Sequence, residues 1–265
     1  VPADNLPVIA YQDTTNTDLK FVKCGNPACS SGNDFALLDT RNSVEMAIAI
    51  GADGFPIVSY FITAGGELIV TKCGDAACNS GNTTYTVDGV GSTNNRGEFS
   101  SIIVPSDGLP VIAYHDTTNY NLIVAKCGDP SCNPASGNTI TTVDNSGDVL
   151  DAAAISVAIG SDGLPVVSYG FYNATPSFQV NFIKCGNAAC SSGNTTNAVD
   201  SGLGSGLGYL FWADMAVAPD GLPVISYYDK GKADLKFAKC GDPTCNPSGN
   251  SITALDTTGS IGEHS

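Results

Sequence analysis

With 265 residues and 42% apolar side chains, the chain has ample material for a buried core. A formal net charge of −15 against only 11 Lys and Arg disfavours phosphate-bearing partners, so neither nucleic acid nor an anionic membrane surface is expected to bind it. No apolar run approaches the ~20 residues of a membrane span, which argues against membrane insertion.

From the amino terminus onward, one phrase recurs five times: Asn5-Leu-Pro-Val-Ile-Ala-Tyr11, Gly54-Phe-Pro-Ile-Val-Ser-Tyr60, Gly108-Leu-Pro-Val-Ile-Ala-Tyr114, Gly163-Leu-Pro-Val-Val-Ser-Tyr169 and Gly221-Leu-Pro-Val-Ile-Ser-Tyr227. Each is followed by Lys-Cys-Gly, three variable residues and a second Cys. A period of roughly 50–58 residues built from strand signals is that of a propeller blade.

The third repeat shows the order of elements. Ser101–Val104 is a short apolar strand, and Pro105–Gly108 a tight turn carrying Asp-Gly. Pro110–Tyr114 is the second strand, His115–Asn119 a polar turn, and Asn121–Lys126 the third strand. The cysteine loop leads to Thr139–Val143, whose alternation marks a half-exposed outer strand. No segment has a helical period. Residues 1–265 are therefore expected to form one all-β domain, a five-bladed propeller of four-stranded antiparallel blades.

The ends qualify this picture. Gly262-Glu-His-Ser265 aligns with Gly97-Glu-Phe-Ser100 and Val1-Pro2 with Val104-Pro105, so matches to Ser101, Ile102 and Ile103 are missing. The innermost strand of the first blade is expected to be nearly absent. Either the chain is an excerpt or processed product of a longer one, or a like subunit donates the strand to an open edge.

The cysteines pair by spacing as Cys24 with Cys29, Cys73 with Cys78, Cys127 with Cys132, Cys185 with Cys190 and Cys240 with Cys245. Zinc would need four converging ligands, and only His115 and His264 are at hand to help isolated pairs. Disulfides are expected, one per blade, each contributing roughly 2 kcal/mol by loop entropy. They imply an oxidising, extracellular compartment for a secreted protein.

Residues present in every repeat read as structural. Tyr11, Tyr60, Tyr114, Tyr169 and Tyr227 are expected to fill the wedges between blades. Lys23, Lys72, Lys126, Lys184 and Lys239 are expected to lay their stems on the sheet with the ammonium in water. Asp39, Asp88, Asp144, Asp200 and Asp256 close the outer strands and are expected to make turn hydrogen bonds.

Chemistry is sought where the repeats diverge, in the loops that precede the first strand and join the second to the third. In a propeller these lie on one face around the axis. They carry Arg41, Glu45, Arg96, Glu98, His115, Asp151, Trp212, Asp214 and His264, which include the sole Trp, both Arg and both His. Polar and aromatic groups at a channel mouth are the expected ligand-binding set. Carboxylates there would suit glycoside hydrolysis, but no catalytic motif surrounds them and no catalytic residue is assigned. No cofactor is expected. Calcium is the one ion the sequence raises, through the oxygen-rich turns Asp13–Asp18 and Asp116–Asn121, which a polar hairpin explains equally well. Asn-X-Thr triplets begin at Asn82, Asn173 and Asn194, as chance predicts for a chain rich in Asn and Thr.

The pattern Asp-Gly-Leu-Pro-Val-Ile-Ser-Tyr-Tyr-Asp, then Asp-Leu-Lys-Phe-Ala-Lys-Cys-Gly and Ser-Gly-Asn, seen best from Asp220 to Asn250, resembles secreted, self-similar bacterial and metagenomic β-propeller repeat proteins. The resemblance covers essentially the whole chain and implies fold and secretion, not a substrate. The expected function is an extracellular, non-catalytic recognition or adhesion module for glycans or a cell-surface protein, with carbohydrate bound multivalently. The alternatives are a structural subunit of a fibre or surface layer, assembling through the open blade edge, and a glycoside hydrolase.

Overall fold

The computed structural model describes residues 2–146, 149, 155–173, 177–204 and 212–258. Each repeat folds into one antiparallel sheet whose strands pair in sequence order. The first contains β1 (Val8–Asp13), β2 (Asp18–Lys23) and β3 (Asp34–Asp39). The second contains β4 (Ser43–Ile50), β5 (Pro56–Ile62), β6 (Glu67–Lys72) and β7 (Thr83–Asp88). The third contains β8 (Arg96–Ile103), β9 (Val111–Asp116), β10 (Asn121–Lys126) and β11 (Thr139–Asp144). β12 (Ser156–Ile159), β13 (Pro165–Asn173), β14 (Ser177–Lys184) and β15 (Thr195–Ser201) form the fourth, and β16 (Ala213–Val217), β17 (Pro223–Asp229), β18 (Asp234–Lys239) and β19 (Ser251–Asp256) the fifth. The protein is an all-β, five-bladed propeller. Among the described residues the first blade has three strands.

The chain divides into two compact units. One comprises Val1–Thr118 and Ala125–Ile140, the other Asn119–Val124 and Thr141–Ser265. In the first unit, Val58, Tyr60 and Ile69 of the second blade pack with Leu19, Ala10 and Leu38 of the first. In the second, Val166, Phe182, Met215, Ile225 and Tyr227 belong to one apolar cluster. The apolar alternation of the second and third strands creates these faces, because side chains two apart share one side of a strand.

The repeated tyrosines fill the wedges and also hold them. Tyr60, Tyr114, Tyr169 and Tyr227 are fully buried. Each hydroxyl donates to the aspartate ending the preceding blade's outer strand: Asp39 at 2.8 Å, Asp88 at 2.7 Å, Asp144 at 2.6 Å and Asp200 at 2.6 Å. Burial, reinforced by the neighbouring carboxylate, pushes all four phenols well above their usual range. The expected turn bonds coexist with this clasp, since Asp39 Oδ1 accepts the Arg41 N–H and Asp144 Oδ1 the Ser146 N–H.

The repeated lysines have partners that the repeats alone do not reveal. Each ammonium pairs with the aspartate of its own blade's first turn, and the Lys239 side chain stays 43% exposed, as expected. Lys72 meets Asp53 at 2.8 Å, Lys126 meets Asp107 at 2.7 Å and Lys184 meets Asp162 at 2.7 Å, and Lys23 and Lys239 likewise contact Asp4 and Asp220. The antiparallel register places the end of the third strand beside that turn, and the largely buried side chains of Lys72, Lys126 and Lys184 need a counter-charge there.

All five predicted disulfides are present, each closing a five-residue separation. A side-chain brace backs every one. Asn33, Asn82, Asn138, Asn194 and Asn250 accept the N–H of the glycine after the first cysteine. Their amide nitrogens donate to the carbonyl of the second cysteine. The glycine is obligatory because the loop's far limb lies against it: a Cβ on Gly128 would sit 2.1 Å from the Ser136 carbonyl oxygen.

Candidate ligand-binding site

Local backbone chemistry sets the site in the first unit. The inner strands β4 and β8 are interrupted by β-bulges, between Val44 and Ala47 and between Arg96 and Ser101. A bulge re-aims side chains that a regular strand would hide. Glu45 and Phe99 take left-handed backbone there, with φ of 54° and 53°, and Gly97 φ of 120°. Non-glycine residues in this region carry strain of about 1–2 kcal/mol, which surrounding contacts must offset.

One such contact links the two bulges. Glu45 Oε2 accepts the Phe99 N–H at 2.9 Å, and the Ser100 hydroxyl, 2.9 Å from the Ser59 hydroxyl, lies beside it. In the turn that follows β9, Thr117 Oγ1 donates to Glu98 Oε1 at 3.0 Å. Glu98 faces His115 in the β8–β9 register, and the Phe99 and His115 rings are 6.5 Å apart. Glu45, Glu98 and Phe99 are each half-buried.

The other expected site residues divide. Arg41 turns back on Asp39, with Nη2 2.6 Å from Oδ2. Arg96 reaches two carboxylates, with Nη1 3.3 Å from Asp88 Oδ2 and Nε 3.3 Å from Asp116 Oδ2. Asp116 is fully buried, and the guanidinium serves as its counter-ion while the Arg96 side chain stays 31% exposed. His115 is fully buried and Trp212 only 8% exposed, which corrects the expectation that both line a ligand site. His115 lies within β9, and Trp212 immediately precedes β16. Asp151 and His264 fall outside the described residues.

In the second unit, Asp214 is exposed and binds structure rather than solvent alone, accepting the Ser156 hydroxyl at 2.8 Å and the Met215 N–H at 2.8 Å. A cleft of about 130 Å³ beside it is lined by Asp214, Met215, Ala216, Val224, Ser226 and Phe237. Lys236 bridges Asp200 at 3.1 Å and Asp229 at 2.7 Å, repeating on another strand the charge balance that Arg96 supplies in the third blade. Tyr172 packs on Phe178 with ring centroids 5.1 Å apart, and the Lys230 ammonium lies 5.2 Å from the Phe178 centroid.

Phe99, Thr117 and Lys236 were absent from the sequence-derived set. A register count finds the first: Glu45, Phe99 and Trp212 each stand eight residues before the Asp of the Asp-Gly turn, at Asp53, Asp107 and Asp220. The oxygen-rich turn at Asp13 is closed by its own neighbours. Asp13 accepts the Asn16 amide at 2.9 Å and lies 2.5 Å from the Lys20 ammonium, and these bonds hold its carboxyl well below the usual range. Among the described residues, no group of three or more His, Cys, Asp or Glu is arranged to hold a metal ion. Nor does any described helix have the length and apolarity to cross a membrane.

No protein-family model and no curated protein sequence matches the chain. Solved structures do resemble it in fold. Puromycin hydrolase superposes with a TM-score of 0.56 at 10% identity over 95% of this chain, which spans 37% of that protein. AofleA from Arthrobotrys oligospora gives 0.53 at 12% identity, over 96% of this chain and 72% of the other. The SapL1 lectin in complex with alpha methyl fucoside gives 0.50 at 11% identity, over 96% and 80%. At such identities the likeness establishes the propeller architecture and nothing finer.

Proposed function

We propose that this protein is an extracellular, non-catalytic recognition module that binds carbohydrate, with its site on the Phe99 shelf of the third blade. The observation that carries the reading is the half-buried Phe99 ring, held in left-handed backbone and flanked by the Glu45 and Glu98 carboxylates. An aromatic face covers the C–H side of a pyranose, while carboxylates accept bidentate bonds from adjacent hydroxyls. The five disulfides suit a life outside the cell. The resemblance of the fold to a lectin solved with a fucoside supports the ligand class as an analogy of architecture. Because Glu45, Phe99 and Trp212 differ at the shared register, we place the site on one blade rather than on each.

A glycan array on the intact, oxidised protein tests this, followed by titration of each hit against Phe99→Ala. Retention of a glycan by the parent and its loss in the variant, with an unchanged unfolding midpoint, is the expected result. A parent that retains no glycan, or a variant that binds as well, overturns the proposal.

A further inference from the structure

Four buried tyrosines clasp an aspartate of the preceding blade, but the charges around those clasps differ. Asp39 has the Arg41 guanidinium at 2.6 Å, Asp88 that of Arg96 at 3.3 Å, and Asp200 the Lys236 ammonium at 3.1 Å. Asp144, which is half-buried, accepts only the Tyr169 hydroxyl at 2.6 Å and the Ser146 N–H at 2.9 Å. Among the described residues, which include all 11 Lys and Arg, no Lys or Arg pairs with it. A carboxylate drawn partly out of water without a counter-charge is unfavourable.

The strand register shows what has changed. Asn181 of β14 lies opposite Tyr169, as Lys236 of β18 lies opposite Tyr227. The fourth blade thus carries a neutral amide where the fifth carries the ammonium that answers Asp200. Tyr169 also fixes which way that amide turns. The phenol has one proton, and it goes to Asp144, so the amide offers Nδ2 to the phenol oxygen at 3.3 Å and Oδ1 points elsewhere. Asn181 is only 6% exposed, and its buried Oδ1 accepts no hydrogen bond. One clasp therefore joins an uncompensated carboxylate to an unsatisfied buried oxygen, and a cation answers both.

We propose that the wedge between the third and fourth blades binds one monovalent alkali cation, ligated by Asn181 Oδ1 and neutralised by the Asp144 carboxylate. Both groups bond the same phenol oxygen, which keeps them in one neighbourhood. A single carboxylate beside a neutral carbonyl-type oxygen suits an ion of single charge, whereas calcium takes about six to eight oxygens and commonly several carboxylates. The ion does for Asp144 what Lys236 does for Asp200. None of the sugar-binding residues takes part, so this inference stands apart from that reading.

Thermal unfolding of the intact, disulfide-bonded protein tests it, in sodium, potassium or rubidium chloride against tetramethylammonium chloride. Equal ionic strength holds screening fixed, and tetramethylammonium is too bulky to ligate a buried oxygen. At least one alkali ion should raise the midpoint saturably, by about 2–4 °C. Asn181→Lys places an ammonium at the register of Lys236 and should lose that response. Asp144→Asn, which keeps the size of the side chain, should lose it too and serves if Asn181→Lys does not fold. Equal midpoints in all four salts overturn the proposal. So does an undiminished response in either folded variant, which would place the ion elsewhere.

Discussion

Glu45 of the second blade caps the backbone of Phe99 in the third, its Oε2 accepting the Phe99 N–H at 2.9 Å, and both residues sit at the same repeat register in left-handed backbone. One strained position thus braces the other. Glu45→Ala removes a charged acceptor from a half-buried N–H and should lower stability by about 1–2 kcal/mol. Phe99→Gly removes the ring but relieves the left-handed strain, so its stability should stay within about 1 kcal/mol of the parent. Urea unfolding of both variants, beside glycan titration, separates the bracing role from the binding role.

The interblade clasps make a second prediction. The buried Tyr169 donates to the half-buried Asp144 and accepts from the buried Asn181 amide at 3.3 Å. Tyr169→Phe leaves those groups without their partner and should cost roughly 1–3 kcal/mol. Tyr11 is only half-buried, and Tyr11→Phe should fall within about 0.5 kcal/mol. A shift in urea midpoint for the first variant and not the second is the expected outcome.

Stability should fall at both ends of the pH scale. Partial burial alone would raise the carboxyls of Asp53, Asp107 and Asp162, but bonds from Lys72, Lys126 and Lys184 and from nearby N–H groups outweigh it and hold them below their usual range. A carboxylate whose folded pKa is depressed contributes stability above its unfolded value, about 4, and loses it as pH falls further. The buried phenols have raised folded pKa values, so their contribution is complete below about pH 10 and disappears as pH rises beyond it. Melting temperature against pH should show a plateau between these limits, with a shallower acid limb in Asp107→Asn.

The cysteine loops give the fourth prediction. Replacing Cys127 and Cys132 together by Ser should cost about 2 kcal/mol from loop entropy. Gly128→Ala, with the disulfide intact, forces a Cβ against the Ser136 carbonyl and should cost roughly 2–4 kcal/mol. Thermal unfolding under non-reducing conditions distinguishes loss of the crosslink from loss of the close approach.

Repetition made the architecture readable. The Asp-Gly turns, the apolar strands after them and the paired cysteines recur at fixed spacing, and local turn chemistry and alternation suffice to place them. The partnerships of charged residues were harder to read. Arg96 looks like a ligand-facing cation in a diverging loop, yet register sets it between Asp88 and Asp116, which stand 28 residues apart in the chain. His115 follows a repeated tyrosine in what reads as the start of a polar turn, but β9 continues through Asp116 and carries the imidazole into the interior. Phe99 escaped notice because bulges, not composition, expose it.

The asparagine braces have a consequence for how the protein is made. Asn82 and Asn194 each head an Asn-X-Thr triplet, and each also donates its amide nitrogen to a cysteine carbonyl, at 2.7 Å and 2.6 Å. That nitrogen is the atom to which an N-linked glycan would attach. Attachment takes one of the nitrogen's two hydrogens and sets a sugar against the loop, so a glycan and the closed loop compete for the space around one atom. In a secretory pathway that glycosylates nascent chains, sugar added before the loop closes would hinder the braces of the second and fourth blades. A host lacking that modification is the better source of native protein.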